Sequence, residues 1–294
     1  MRAMEQAGLV QGSGALGVVA WSGGFQRIVD GLERMFDAEA VGQVDEVVRF
    51  PPVMARGHFE TSGYMKGFPQ LAGSVHCFCG SEADHRILLA CIAEDRDWTG
   101  QQQATDVILT PACCYPLYPL LARRGPLPPG GVTVDIASWC YRQEPSEHPA
   151  RMRSFRVREF VRAGTAEDVA GFRAYWMDRA RGIAESLALE AAIDVANDPF
   201  FGRPGKLRAG MQREEEAKFE LLIAVEGPAP TACASFNDAK DLFGTLFGLV
   251  QHDGAVARTG CVGFGVERMC LALLRRHGLE SAAWPAGVRA TLGL

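Results

Sequence analysis

The chain has 294 residues, 48% of them hydrophobic, and a formal net charge of −5 at pH 7. This length can bury a substantial core, no apolar run approaches the roughly 20 residues that a membrane helix needs, and the acidic balance disfavours tight binding to a large nucleic acid. The nine cysteines lack regular spacing, and the N-terminus lacks a secretory signal, so we expect a cytoplasmic protein with reduced thiols, some of them candidate metal ligands.

The first half of the chain predicts a helix followed by a strand. Residues 24–38 place apolar side chains about one helical turn apart, which predicts an amphipathic helix. Residues 44–54 (VDEVVRFPPVM) have the β-branched character of a strand that stops at two prolines. A second apolar run at 105–121 carries Cys113 and Cys114 and ends before a turn or loop at 123–131, which is rich in proline and glycine.

The second half combines one long helical segment with several strands. Thr165 begins a capping box (TAED) and about thirty residues of helical spacing, in which Gly182 is a candidate break between two helices. Residues 217–227 and 231–237 are strand-like, and 257–278 runs from strand through a glycine turn into a helix. Because strands and helices come in runs rather than in alternation, we expect an α+β fold around a mostly antiparallel sheet flanked by helices, as one domain over 1–294.

The segment from Tyr141 to Glu159 (YRQEPSEHPARMRSFRVRE) holds five arginines. With residues 132–144 as one strand and PSEHPA as the loop, it predicts a β-hairpin. In an extended strand Arg151, Phe155 and Glu159 share a face, as do Arg142 and Glu144. Arginines fork onto phosphate, a phenyl ring stacks on a purine and a glutamate accepts from an amine, which together suit ATP. A solvated hairpin with interspersed charges is the alternative.

The hairpin resembles motif 2 of the class II aminoacyl-tRNA synthetases, whose pattern is aromatic-Arg-x-Glu, a loop, then Arg/His-xxx-Phe-xxx-Asp/Glu. Residues 260–268 (GCVGFGVER) resemble motif 3 of that class, a glycine-rich strand that ends in Glu-Arg at the start of a helix. The stretch from Phe25 to Pro52 resembles motif 1, which forms the dimer interface. The resemblance therefore implies a homodimer through motif 1.

The same resemblance implies a role for each motif residue. Arg142 would hold the α-phosphate and the attacking carboxylate, Glu144 would bind the adenine amine, and Phe155 would stack on the ring. Arg151 and Arg268 would hold the γ-phosphate end, next to a helix N-terminus whose dipole favours anions. Arg142 and Arg268 are thus the catalytic candidates.

Residues 217–227 and 231–237 resemble the paired strands of seryl-tRNA synthetases. This implies that Lys218 contacts ATP, with Asn237 nearby. Seryl enzymes usually have a magnesium-holding glutamate where this chain has Thr231, so the magnesium ligands stay unassigned. The complete set of ATP-binding candidates is Arg142, Glu144, Arg151, Met152, Phe155, Lys218, Ala232, Cys233, Ala234, Ser235 and Arg268.

Three further residues match a metal site. The zinc-dependent, atypical seryl-tRNA synthetases bind their amino acid through a metal held by two cysteines and a glutamate, and Cys114, Glu159 and Cys261 occupy the corresponding positions. The resemblance implies one zinc per subunit, with Glu159 also at the amino acid. Such a set leaves one tetrahedral position open for a neutral α-amino group. The alternative is that both cysteines are ordinary buried thiols.

Seryl-tRNA synthetases carry a tRNA-binding domain before motif 1, whereas motif 1 begins near Phe25 here. This arrangement resembles the amino acid:carrier-protein ligases, which implies activation of a small amino acid, glycine or alanine, with ATP and magnesium. The aminoacyl-adenylate would pass to the phosphopantetheine thiol of a carrier protein, and tRNA is not an expected partner. Two alternatives are a seryl-type synthetase that acts on tRNA with a separate binding partner and a non-catalytic paralogue that senses amino acid and ATP. The intact Arg142, Arg151 and Arg268 weigh against the second.

A helical insertion at about 165–205 is the expected docking region for the carrier, although a solvated helix face explains its charges equally well. Two other patterns are discounted. The GSGALG stretch at 12–17 lacks the strand and helix of a dinucleotide site, and Cys77 and Cys79 are expected to be buried thiols. The basic residues that could face an acidic carrier are Arg173, Arg179, Arg181, Arg203 and Lys206.

Overall fold

The computed structural model describes residues 1–227 and 229–294. Its strands are β1 Val10–Gly12, β2 Val19–Trp21, β3 Glu46–Arg49, β4 Val53–Ala55, β5 Ser74–Cys77, β6 Gln103–Leu109, β7 Val132–Tyr141, β8 Ser154–Gly164, β9 Ala191–Val195, β10 Lys218–Ala224, β11 Pro230–Lys240 and β12 Arg258–Gly265. Its α-helices are α1 Arg2–Gln6, α2 Gly23–Ala40, α3 Arg56–Thr61, α4 Tyr64–Gly67, α5 Glu82–Ala93, α6 Leu117–Ala122, α7 Ala166–Ser186, α8 Gly202–Glu214, α9 Leu242–Phe247, α10 Val266–His277 and α11 Ala286–Leu292.

A seven-stranded sheet in the order β3-β7-β8-β12-β11-β10-β9 organises the described part of the chain. Only β3 and β7 pair in parallel, while the other neighbours are antiparallel. The mostly antiparallel α+β fold predicted from the sequence is therefore confirmed. Strands β4, β6 and β5 form a small second sheet, in a region where the sequence analysis assigned only a strand-like end near Met54 and an apolar run from 105.

Different helices pack on the two faces of the large sheet. Phe160 on β8 and Phe264 on β12 face the helices, where Phe160 stacks on Trp176 of α7 at 4.0 Å and Phe264 meets Phe36 of α2 at 4.7 Å between ring centroids. Because side chains alternate along a strand, the neighbouring residues of β8 and β12 point to the opposite face. There a second core packs around α6 and α9, with Tyr118 stacked on Phe243.

Several predicted elements lie where the sequence placed them. The helix predicted at 24–38 is α2, which Ser22 caps by accepting a hydrogen bond from the Phe25 amide. The capping box at Thr165 is present at the start of α7. Gly278 ends α10 with a positive φ of 92°, a conformation that glycine adopts at little cost.

Four expectations were wrong. Helix α7 runs through Gly182 without a break and ends at Ser186, so about thirty helical residues was an overestimate. The segment 165–205 is not all helical, because β9 pairs there with β10 at the sheet edge. The hairpin loop extends from residue 142 to 153, well beyond PSEHPA, so Arg142 and Arg151 lie outside the strands. Cys77 and Cys79 are exposed.

Among the residues that the structure describes, no helix combines the length and apolar character needed to cross a membrane.

Candidate active site

The predicted metal ligands meet on the sheet face opposite α2 and α7. Cys114 lies just before α6, Glu159 is on β8, and Cys261 is on the adjacent β12. All three residues are buried, and one ligand atom from each lies within 4.8 Å of those of the other two. Two thiols and one carboxyl group are a donor set that zinc accepts, with a fourth tetrahedral position left for a substrate. The residues therefore fit a zinc ion.

The pKa values of all three groups are raised. Burial raises the pKa of the Glu159 carboxyl. The Cys261 thiol lowers the pKa of Cys114, but burial and Glu159 outweigh it and raise that pKa to about 11. The hydrogen bond with Cys114, burial and Glu159 all raise the pKa of Cys261 well above its usual range. A divalent cation binding there would displace these protons, because metal ligands must be deprotonated.

Arg142 lies between this cluster and the predicted nucleotide site. Its Nε donates to the carbonyl of Pro111 at 3.1 Å, and its guanidinium lies 5.5 Å from the ring centroid of Phe155. Burial opposes its positive charge, but Tyr64 and other neighbouring groups hold its pKa above the ordinary value. Burial raises the pKa of Glu159, and the charge of Arg142 opposes that rise. The same charge adds to the effect of burial in lowering the pKa of Arg268. Arg142 is therefore close both to the metal cluster and to the predicted nucleotide site.

Arg268, the other catalytic candidate, lies in the first turn of α10. Its Nε donates to the Ala150 carbonyl at 3.0 Å and its Nη1 to the Ala232 carbonyl at 2.9 Å. These bonds tie motif 3 to the hairpin loop and to β11. Burial and the charge of Arg142 lower the pKa of Arg268. Two close guanidinium groups of like charge favour an anion between them.

Four of the remaining ATP candidates, Glu144, Arg151, Met152 and Phe155, lie in the loop 142–153 or at the start of β8. Glu144 accepts a hydrogen bond from Nη1 of the exposed Arg151 at 3.3 Å. The two side chains therefore partly neutralise each other. Met152 is buried, and Phe155 packs against both cores. Cys233 of β11 is buried in the core on the helix side of the sheet, and this burial raises the pKa of its thiol to about 12.

Lys218 lies in a cluster that the sequence analysis did not anticipate. Its Nζ is 2.6 Å from a carboxylate oxygen of Asp198 and 3.1 Å from one of Glu220, and its side chain is only 11% exposed. Asp198 comes from the loop between β9 and α8 and also accepts from Gln212 at 2.8 Å. No sequence motif pointed to Asp198, because its contact with Lys218 exists only once β9 has paired with β10.

The arginines of β8 that had no assigned role point to the helix face. Arg156 donates to a carboxylate oxygen of Glu267 at 2.6 Å through Nε, and to the other oxygen at 2.8 Å through its backbone amide. Arg158, only 3% exposed, forms ion pairs with Asp135 at 2.5 Å and with Glu33 at 2.7 Å. These ion pairs link β8 to α10, β7 and α2. Because they restrict the movement of β8, they also restrict Glu159, which points to the opposite face of the same strand.

The glycine-rich stretch at 12–17 forms the turn of the β1–β2 hairpin. Gly17, with a φ of 74°, accepts a hydrogen bond from the Arg153 amide at 2.9 Å through its carbonyl. The turn thus supports the end of the motif 2 loop, next to Arg151.

Comparison with solved structures defines the class of fold. The chain superposes on a seryl-tRNA synthetase of M. kandleri, solved in complex with A. aeolicus tRNASec, with a TM-score of 0.84 and 19% identity, over 99% of this chain and 59% of that one. It also matches Giardia lamblia prolyl-tRNA synthetase, solved with prolyl-adenylate, with a TM-score of 0.68 and 13% identity, over 92% of this chain and 50% of that one. The fold is therefore that of the class II aminoacyl-tRNA synthetases.

Curated relatives narrow the class to one family, although no family model matches the chain. The chain is 44% identical to amino acid--[acyl-carrier-protein] ligase 1 of Bradyrhizobium diazoefficiens, over 97% of this chain and 88% of the relative. It is 47% identical to ligase 2 of that organism, over 85% and 75% of the two chains. The type-2 serine--tRNA ligase of Methanopyrus kandleri is 29% identical over 60% of this chain and 36% of its own length. The chain belongs to the amino acid--[acyl-carrier-protein] ligase family and is a ligase.

Proposed function

We propose that the protein activates a small amino acid, glycine or alanine, with ATP as an aminoacyl-adenylate. It then transfers the aminoacyl group to the phosphopantetheine thiol of a carrier protein. Family membership supports a carrier protein as the acceptor, and the predicted roles of the motif residues supply the chemistry.

The position of Arg142 is the observation that carries the proposal. Its Nε donates to the carbonyl of Pro111, just before Cys114 of the Cys114–Glu159–Cys261 cluster, and its guanidinium lies 5.5 Å from the ring centroid of Phe155, the residue predicted to stack on adenine. An amino acid held at the cluster would therefore present its carboxylate to Arg142, and ATP held by Arg268 would present its α-phosphate to the same group. Bringing two reactants together in one orientation removes much of the entropic barrier to their reaction.

The reaction then has two steps. In the first, a carboxylate oxygen of the amino acid attacks the α-phosphorus of ATP, the bond to the bridging oxygen of the β-phosphate breaks, and pyrophosphate leaves. Arg142 and Arg268 stabilise the negative charge that develops on the phosphate oxygens. In the second, the pantetheine thiol loses its proton to solvent, its sulfur attacks the aminoacyl carbonyl carbon, and AMP leaves.

The Cys114–Glu159–Cys261 cluster would select the amino acid. Zinc, when bound, supplies a Lewis-acidic position that accepts a neutral α-amino group. Tyr115 follows Cys114 directly, and Tyr118 is fully buried in the core next to Cys114, stacked on Phe243. Bulky rings at these two positions favour a substrate with a small side chain. One zinc per subunit and ATP with magnesium are the cofactors of this proposal.

Two of the basic residues predicted to face the carrier protein are already engaged in contacts within the chain. Arg179 is paired with Glu39, and Arg173 donates to the Glu216 carbonyl and lies over the Phe219 ring. Arg181 is exposed on α7. These contacts leave α8 as the better docking element.

On α8, Arg203, Leu207 and Met211 follow one another at four-residue intervals and therefore lie on one face. All three are exposed, as is Lys206. An apolar strip flanked by cations fits an acidic carrier protein. A Leu207→Glu substitution should weaken carrier loading without changing adenylate formation, whereas loading at the wild-type rate would exclude α8 as the docking surface.

We also propose that the enzyme is a homodimer through motif 1. Strand β3 is an edge strand of the large sheet, with Val47 more than half exposed and Val41 just before it 78% exposed. A second copy would cover these apolar side chains. Light scattering should give a dimer mass for the wild type and a larger monomer fraction for Val47→Glu.

Pyrophosphate exchange into ATP, measured with each amino acid in turn, tests the activation step. Exchange with glycine or alanine supports the proposal, and no exchange with any small amino acid would refute it. Loading assays then separate the acceptors, because the ligase should acylate a holo carrier protein and leave tRNA uncharged. Charging of tRNA would instead support the seryl-type alternative, which the similarity to type-2 serine--tRNA ligases keeps open.

A further inference from the structure

Asn237 contacts the predicted metal cluster from the neighbouring strand. It is on β11 directly opposite Cys261 of β12 in the sheet register. Its side-chain amide donates to the Cys261 sulfur at 3.4 Å and to the Ser235 hydroxyl oxygen at 3.2 Å. Because Asn237 is half buried in a central strand, its backbone has little freedom to move the amide away from the sulfur.

We propose that Asn237 is a positioning residue, which fixes the orientation of the Cys261 sulfur and moderates its electron donation to a bound divalent metal. This inference rests on the zinc site of the proposed function. Two thiolates and a carboxylate carry three negative charges against two positive charges on zinc. An N–H donor on a thiolate withdraws part of that charge, so the metal stays more electrophilic towards an incoming amine.

Two features separate this role from ordinary strand packing. The Ser235 hydroxyl accepts the second N–H contact of the same amide nitrogen, and this pins the side chain in one orientation. Asn237 also lies directly opposite Cys261 in the register of two hydrogen-bonded strands, so the backbone fixes the position of the amide relative to the sulfur.

Cobalt(II) is a suitable probe, because thiolate ligands give it a charge-transfer band in the near ultraviolet. The test compares the wild-type chain with Asn237→Leu, which keeps the approximate shape but has no donor, and with the smaller change Asn237→Ala. Asn197→Leu is the matched control, since Asn197 is the other asparagine of the chain and is exposed. Circular dichroism checks that each variant is folded.

Removing a donor of this kind should weaken cobalt binding about 10-fold or more in competition with a chelator. The charge-transfer band should move to longer wavelength, because the sulfur electrons are held less tightly. A role limited to packing would leave the band in place, so an unmoved band in both Asn237 variants refutes the inference. Wild-type protein that binds no cobalt would refute the metal site and this inference together, whereas pyrophosphate exchange tests the activation chemistry separately.

Discussion

Asp198→Asn tests the cluster that the structure adds to the predicted ATP site. The substitution keeps the shape of the side chain and removes its charge. Lys218 loses a carboxylate at 2.6 Å and keeps Glu220 at 3.1 Å. Gln212 donates a hydrogen bond to the other carboxylate oxygen of Asp198. That hydrogen bond is lost when the NH₂ group of the new asparagine occupies the position of this oxygen.

The expected loss of stability follows from the burial of this pair. Breaking a fully buried ion pair by removing one partner costs about 3–5 kcal/mol. Here Lys218 retains a second carboxylate, and the Asp198 side chain is 30% exposed, so solvent and Glu220 reduce the cost to about 1–2 kcal/mol. In a chain of this size that corresponds to a decrease in Tm of roughly 3 °C.

The pH dependence of this loss gives a second measurement. Burial alone raises the pKa of Asp198, but Lys218 and Gln212 outweigh burial and hold the pKa below its ordinary value. A carboxyl with a depressed folded-state pKa stabilises the fold above its unfolded pKa of about 3.9 and loses that contribution as pH falls through the folded pKa. The difference in unfolding free energy between wild type and variant should therefore be constant near neutrality and disappear in strong acid.

Urea unfolding at several pH values and pyrophosphate exchange at varied ATP measure both consequences. The KM for ATP should rise about fivefold if Lys218 loses roughly 1 kcal/mol of its orientation towards the nucleotide. Asp194→Asn is the matched control, because Asp194 is an exposed residue of β9 whose carboxylate accepts from the adjacent Val195 amide. An unfolding free energy that does not change at pH 7, or a difference that persists at low pH, would refute the reasoning.

Three other predictions follow from the same structure. Glu159→Gln should lower bound zinc severalfold, because an amide is a weaker ligand than a carboxylate, and elemental analysis at equal protein concentration measures this; full metal content would contradict it. Asp135→Asn should cost about 3 kcal/mol in urea unfolding, because it leaves the buried Arg158 without its closest carboxylate. A change below about 1 kcal/mol would show that the two other carboxylates paired with Arg158, those of Glu33 and Asp37, suffice. Gly260→Ala should cost about 1–3 kcal/mol, because a Cβ there would lie 2.6 Å from Val169 Cγ1; a stability equal to wild type would mean that α7 shifts freely.

Local patterns in the sequence were sufficient for a large part of the fold. The helix at α2 follows from the spacing of its apolar residues, and the start of α7 from the capping box at Thr165, because both depend on side chains within a few turns. The break expected at Gly182 was wrong for a complementary reason. A glycine in a helix costs only about 1 kcal/mol relative to alanine, and the packing of Trp176 and Ile183 into the core outweighs that cost.

The sequence by itself determined the chemical groups of the candidate site, since the motifs name Arg142, Glu159 and Arg268 and the resemblance names the two cysteines. Only the tertiary structure decided which groups meet. Cys114, Glu159 and Cys261 are far apart in the chain, and pairing of β8 with β12 brings two of them together beneath α6. The same holds for Asp198 and Lys218, whose contact depends on β9 joining the sheet edge. Such contacts join segments whose spacing along the chain carries no periodic signal, so they become visible only when the sheet order is known.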